Sequence, residues 1–392
     1  MKHVRSTQTE FILALTLFGA LATSCIPTAQ PGMTRFSYQP TSGETVVKAK
    51  PTLDPTFPVF LASNRALRDE QQNRHPFADE PSSDFGLRFG VAQVEIENPT
   101  AHRRGRVSLK RTTLLASDPA TRDSALADDW TDEIRAQLKH RTESTIVIYV
   151  HGYNAYVPAN TEIAALLFHL CGQPGAVINF EWPSRESVLS YAADKALANI
   201  STRHFRTLLQ QLSAETGADQ IHLIGHSAGC PLIVRSLAAI RQANLNLTPD
   251  QLQDRFRIGR VVLAAPDIGA GIFFNEVLDG FHEVTEGVTV YASQGDLPLL
   301  ASQLVFDEAR LGRSFDGFDP WQSELALSLP EIEWIDVSGL ESRRNGFLGH
   351  FHFLCNPTVS LDITRIVAGR SVEVRGLSKQ DPNSLGFSLP SP

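Results

Sequence analysis

Two hydrophobic rhythms follow one another along the chain. In the first part, residues 58–63 (Pro-Val-Phe-Leu-Ala-Ser) read as a strand, and 85–96 show strand character with partial alternation. These early strands are expected to be antiparallel, and a helix is expected from about 119 to 139. The pattern then changes. Residues 145–150 (Thr-Ile-Val-Ile-Tyr-Val) are almost continuously apolar, as a strand buried on both faces must be. A helix at about 158–170, a strand at 176–182 and a long helical region at about 187–216 follow. Further strands are expected at 220–225, 260–265, 288–293 and 332–337, with a helix at about 228–242 after the first of them. Strands alternating with helices imply right-handed crossovers and a mostly parallel sheet, so the fold class is α/β. Ligands of such sheets bind beyond the carboxyl ends of the strands, so side chains that carry chemistry should stand just after strands.

One stretch meets that condition with a recognisable pattern. After the apolar residues 220–224 comes Gly225-His226-Ser227-Ala228-Gly229, and then a helix. A serine on a tight turn between a strand and a helix is pushed outward at the top of the sheet, and small residues are needed on both sides of it. The helix start points backbone N–H groups at negative charge forming beside Ser227. Ser227 is therefore the candidate nucleophile. A serine hydroxyl needs an imidazole to take its proton and a carboxylate to orient that imidazole. The aspartates placed after strands are Asp267, Asp296 and, marginally, Asp336. In a sheet of this type the order along the chain is serine, acid, histidine. With Asp296 as acid, only His350 and His352 of the 12 histidines follow it. Asp296 and His350 are preferred, with Asp267 the alternative acid. Asp267 otherwise caps the next helix or walls the pocket, and His352 otherwise packs among phenylalanines.

The oxyanion donors are expected to be the N–H groups of Tyr153 and Ala228, the former in the loop His151-Gly152-Tyr153-Asn154. Gly152, Tyr153 and Trp182 are expected to edge the substrate pocket. Phe273, Phe274 and Phe281 read as either an acyl site or core, core being the expectation for at least two. His226 reads as a packed neighbour of the nucleophile. His350 and His352 have a spacing that suits a metal on a strand, but no third ligand is near, so no metal and no cofactor is expected. A neutral imidazole base implies activity that rises with pH through roughly 6 to 7.5.

Composition narrows the partners. The 392 residues, 42% hydrophobic, can bury one large core or two smaller ones, and a net charge of -8 argues against nucleic acid. The cationic group Arg103, Arg104, Arg106, Lys110 and Arg111 is too small to change that and suits solvated strand or loop faces. At the N-terminus, Lys2, His3 and Arg5 precede an apolar run from Phe11 to Ala22, the length of a signal-peptide core. The run ends in Leu21-Ala22-Thr23-Ser24-Cys25, similar to a bacterial lipoprotein box with its leucine displaced by one place; plain secretory cleavage after Ala22 is the alternative. The expected organisation is a signal peptide over 1–24, lipidated Cys25 opening a flexible tether over 25–55, a catalytic domain over 56–375, and a flexible C-terminal tail over 376–392. The implied location is the cell envelope, with membrane attachment through the lipid. Of the remaining cysteines, Cys230 suits a buried site, and Cys171 and Cys355 could pair.

Taken together, these motifs resemble a bacterial alpha/beta-hydrolase family within the esterase/lipase superfamily. The resemblance runs through Leu61-Ala62-Ser63-Asn64-Arg65, His102-Arg103-Arg104-Gly105, His151 to Asn154 and Phe180-Glu181-Trp182-Pro183-Ser184-Arg185, with Tyr191 and Asp194 following. It continues through the Ser227 turn, Ala264-Ala265-Pro266-Asp267, Val290 to Ser293 before Asp296, and Gly349-His350. It implies the alpha/beta-hydrolase fold, a mostly parallel sheet of about eight strands flanked by helices with antiparallel strands at the N-terminal edge. It also favours Asp296 as acid and His350 as base. Two positions depart from the pattern: Ala228 where methionine is frequent, and Glu186 where glycine is frequent. The expected activity is cleavage of a small-molecule or lipid carboxylic ester through an acyl-serine. Thioester, amide or acyl-transfer chemistry and a non-catalytic surface-binding role are the alternatives.

Overall fold

A computed structural model describes residues 53–68, 76–83, 86–97, 106–115, 124–139, 144–153, 155–185, 191–340, 347–379, 381 and 384–390. The signal peptide, Cys25 and almost all of the tether lie outside these residues, as do Asn154 and Glu186.

The first part of the chain forms β1 (Thr56–Ser63), β2 (Arg65–Leu67), β3 (Phe77–Pro81), β4 (Arg88–Glu97) and β5 (Arg106–Leu115), followed by α1 (Ser124–Lys139). Strand and helix then alternate: β6 (Thr145–Val150), α2 (Val157–Leu170), β7 (Gly175–Glu181), α3 (Tyr191–Glu215), β8 (Gln220–His226) and α4 (Gly229–Gln242). Next come α5 (Pro249–Phe256), β9 (Ile258–Ala264), α6 (Ala270–Leu278), β10 (Thr285–Ala292), α7 (Leu297–Phe306), α8 (Pro320–Ser328) and β11 (Ile332–Asp336). The chain finishes with α9 (His352–Cys355), α10 (Pro357–Val367), α11 (Val372–Arg375) and β12 (Phe387–Ser388).

Ten of these strands form one sheet in the order β12-β11-β10-β9-β8-β6-β7-β1-β4-β5. Eight run parallel, and β4 and β5 are the antiparallel edge. Of the early strands expected to be antiparallel, β1 is so only towards β4; towards β7 it is parallel. At the other edge, Phe387–Ser388 pair with Ile335–Asp336 and Leu389 is buried.

The continuously apolar strands make sense in this sheet. Ile146, Ile148 and Val150 join a core with α1, α3, α4 and α6, whereas Val147 and Tyr149 join a second core with α2 and α10. Successive residues of a strand point to opposite faces, so a strand covered on both faces needs apolar residues at every position. Within the first core, Phe273, Phe274 and Phe281 are fully buried around Trp334, which makes all three core rather than an acyl site. Cys171, Cys230 and Cys355 are free thiols, so the Cys171–Cys355 bridge considered from the sequence is not formed. Among the described residues, no helix is long and apolar enough to cross a membrane.

On the second face, three buried side chains and the partly buried Glu333 form one polar cluster. The Tyr291 hydroxyl donates to Asp362 Oδ2, Arg375 holds both oxygens of Asp362 at 2.9 Å, and Arg375 also pairs with Glu333. This ties α11 to β10, β11 and α10.

Candidate active site

β8 delivers Ser227 to the carboxyl end of the sheet in a strained backbone. Its φ is 52°, left-handed for a residue with a side chain. Neighbouring backbone holds it there: Ser227 N–H donates to the Ala264 carbonyl at the end of β9, and the Ser227 carbonyl accepts from Asp267 N–H and Cys230 N–H. Gly229 is required at the first turn of α4. A Cβ there would stand 2.5 Å from the His151 oxygen and 2.6 Å from the Val150 oxygen. The close approach brings the start of α4 against the loop after β6. At the tip of that loop, a Cβ on Gly152 would come to 2.9 Å from Ser227 Cβ. The two expected oxyanion donors thus lie on segments packed around Ser227. Ala228 is the N-cap residue of α4 and is almost fully buried, and Tyr153 is half-buried.

Asp296 and His350, 54 residues apart, are brought together. His350 Nδ1 lies 2.7 Å from Asp296 Oδ2, while Asp296 Oδ1 accepts from Leu299 N–H at 2.9 Å as the N-cap of α7. Asp296 is fully buried, and Ser227 and His350 are almost so. His350 stands on a sharp corner, with Leu348 at φ 57° and Gly349 at φ 79°. A side chain at 349 would meet the Gly295 carbonyl at 2.7 Å, so the corner packs directly against the acid loop.

The remaining candidates fall elsewhere. The Asp267 carboxylate accepts from Ser302 Oγ at 2.7 Å and lies 3.7 Å from Lys195 Nζ and 3.6 Å from Arg310 Nε. It forms a wall beside the nucleophile turn, while His350 pairs with Asp296. His352 is fully buried and finds no hydrogen-bond partner for either ring nitrogen among the described residues. Burial, then the neighbouring His350, lowers its pKa to about 3. Trp182 was expected to edge the pocket, but it is fully buried below it. Its Nε1–H donates to the His151 carbonyl at 2.8 Å and its ring stacks on the His151 imidazole at 5.0 Å. Trp182 therefore supports the loop that carries Gly152 and Tyr153.

Sequence reasoning assigned no role to the buried charges beneath that loop. Glu181, the last residue of β7, lies 3.2 Å from His151 Nε2 and 3.2 Å from Arg65, and accepts from the side-chain amides of Asn160 and Asn179. Burial pushes the Glu181 carboxyl up, but the neighbouring His151, the Arg65 guanidinium and the Asn160 hydrogen bond outweigh it and bring it to about 2. A glutamate ending an apolar strand was the available signal, because a buried carboxylate must find partners. Asp194, in the first turn of α3, accepts from Ser184 Oγ and Arg185 N–H, which secures the segment after Trp182.

Among the described residues, no group of three or more His, Cys, Asp or Glu could hold a metal ion. A polar cleft lined by Asp219, Asp254, Arg257 and Glu286 lies at the amino ends of β8 and β9, the opposite end of those strands from Ser227.

A ten-stranded, mostly parallel sheet with a serine in left-handed backbone between strand and helix defines an alpha/beta hydrolase. The chain belongs to the family described as alpha/beta hydrolases of unknown function (DUF900), whose model matches residues 127–370, more than half of the sequence. Esterase B from Lactobacillus rhamnosis HN001 is a similar solved structure: 17% identity, TM-score 0.26, over 43% of this chain and 62% of that one. This chain therefore spans less than two thirds of that esterase. A candidate cell surface hydrolase from Lactobacillus plantarum WCFS1 is 13% identical with a TM-score of 0.31, over 59% of this chain and 94% of that one. No curated protein matches the sequence.

Proposed function

We propose that the protein is a serine hydrolase that cleaves carboxylic esters through an acyl-serine intermediate. The observation that carries this reading is the 2.7 Å contact between His350 Nδ1 and the buried Asp296, at the strand ends where Ser227 also stands. Ser227 Oγ attacks the ester carbonyl carbon as His350 Nε2 takes its proton, and the carbonyl electrons move to oxygen. Tyr153 N–H and Ala228 N–H receive that oxyanion. Its collapse breaks the bond to the alkoxy oxygen, which leaves as the alcohol with the proton from His350. Water, deprotonated by His350, then attacks the acyl-serine and frees the carboxylic acid and Ser227. Asp296 keeps the imidazole in the required tautomer and offsets its transient charge. The small-molecule or lipid ester enters beside Gly152.

The test is labelling with a fluorophosphonate probe together with a panel of 4-nitrophenyl esters of increasing acyl length. The wild type should label and turn over esters, and Ser227→Ala should do neither. An unreactive wild type, or labelling that persists in Ser227→Ala, would overturn the reading.

The proposal extends to location. The charged start, apolar run and small residues before Cys25 support export and lipid anchoring at the cell envelope. Cys25→Ser should then release the protein from the membrane fraction; unchanged fractionation would contradict the anchor.

A further inference from the structure

His226 precedes Ser227 in the chain and lies against the corner that carries His350. It is the last residue of β8 and 4% exposed. Its Nε2 lies 3.2 Å from the backbone carbonyl of His350. Its ring centroid is 4.7 Å from each of the His350, Phe351 and Phe353 rings, so it sits inside the segment that carries the base. On the other side, a Cβ on Gly152 would come to 3.0 Å from His226 Nδ1. One imidazole therefore lies between the Gly152 loop and the His350 corner.

We propose that His226 is a positioning residue: its Nε2–H, donated to the His350 carbonyl, registers the base against the nucleophile. The idea rests on the Ser227–His350–Asp296 reading above and adds a residue to it. The physical need is plain at the corner. Leu348 and Gly349 both have positive φ, so the backbone that presents His350 is a single kinked turn rather than a regular helix or strand. Asp296 holds the imidazole of His350 at one nitrogen. A second bond, on the backbone carbonyl of the same residue, fixes the main chain from which that ring hangs.

Burial sets the charge of the ring, since a neutral and a protonated imidazole can both donate from Nε2. In the neutral ring that donates from Nε2, Nδ1, which faces Gly152, is the bare nitrogen. The titratable groups acting on His226 are His350 on the corner, His352 on α9 and His151 after β6, all histidines. Burial first, and then His350, hold His226 well below the ordinary imidazole range. When His350 takes the serine proton, its positive charge thus meets a neutral neighbour 4.7 Å away.

Two variants divide the donor from the ring. His226→Phe keeps an aromatic body and loses the donor, whereas His226→Gln keeps an N–H near the position of Nε2. On the full chain, and on an ester that the wild type hydrolyses, His226→Phe should lower kcat about 10- to 100-fold with KM within about twofold, as expected for a misplaced base. His226→Gln should recover most of kcat. Wild-type kcat in His226→Phe, or equal losses in the two variants, would overturn the proposal. A wild type that hydrolyses no ester and takes no phosphonate would instead sink the reading beneath it. Should His226→Phe fail to fold, 15N NMR of histidine-labelled wild type decides: an Nε2 that stays protonated between pH 5 and 8 supports the role, and an Nδ1–H tautomer with a bare Nε2 refutes it.

Discussion

Asp296 serves His350 and its own helix with separate oxygens: Oδ2 meets the His350 ring at 2.7 Å and Oδ1 caps α7 at the Leu299 N–H. Asp296→Asn can keep the cap and spoil only the pairing with the ring, which then favours the wrong tautomer. Its esterase kcat should fall about 10³- to 10⁴-fold with little change in Tm. Asp296→Ala should lose comparable activity and also about 1 kcal/mol of stability from the missing cap. Parallel rate and melting measurements separate the two effects.

Gly152 admits no side chain without movement, because Ser227 and His226 are both within 3.0 Å of where a Cβ would stand. Gly152→Ala should displace the loop that offers the Tyr153 N–H. A loss of about 10²-fold or more in kcat/KM is expected in a folded protein. Esterase assays paired with circular dichroism would show it.

Glu181 is held low, at about 2, against an ordinary value of 4.5. An acid depressed in the folded state contributes stability above its unfolded pKa, and that contribution is lost as pH falls from about 4.5 towards 2. Glu181→Gln should therefore cost about 3 kcal/mol near pH 7, because the buried Arg65 then keeps only the partly exposed Asp79 at 3.5 Å. The deficit should shrink below about pH 4. Denaturant titrations at pH 7 and pH 3 measure both values.

Two buried histidines add a second acid sensitivity. Burial, then Arg260, brings His222 down to about 4, and His352 stands at about 3. Each ring must be neutral in the folded state but binds a proton readily when unfolded. Their contribution is complete above about pH 6.5 and drains away as pH falls towards 4. His352→Phe removes one of these groups without removing a hydrogen bond seen among the described residues. The variant should match the wild type near pH 7 and melt higher than it at pH 4.5.

The sequence made the interior of the sheet plain. Residues 145–150 form β6 with the same bounds as their apolar run, because a strand covered on both faces leaves no position for a polar residue. The edges were harder to read. Arg106–Leu115 mixes charged and apolar residues and passed for solvated strand or loop, yet it pairs with β4 as the last strand on that side. The two-residue β12 is too short for any period to show. In the site, chain order and strand ends were enough to select Ser227, Asp296 and His350. They could not reveal that Trp182 faces inward, since a tryptophan after a strand suits a rim and a support equally well. The partners of Glu181 and His226 were also out of reach. Arg65 is 116 residues before Glu181 in the chain and the His350 carbonyl is 124 residues after His226, separations at which local pattern carries no information.

The Arg375 cluster bears on how the molecule comes into being. Asp362 and Glu333 are placed on α10 and β11 well before residue 375 is made. Until that guanidinium arrives, two carboxylates face the inside of a nearly finished sheet with no counter-charge from α11, and they resist being dried. Final closure of this face therefore waits on α11. A chain stopped at residue 370, where the family match ends, would carry every catalytic candidate and still lack the cation that lets the second core seal.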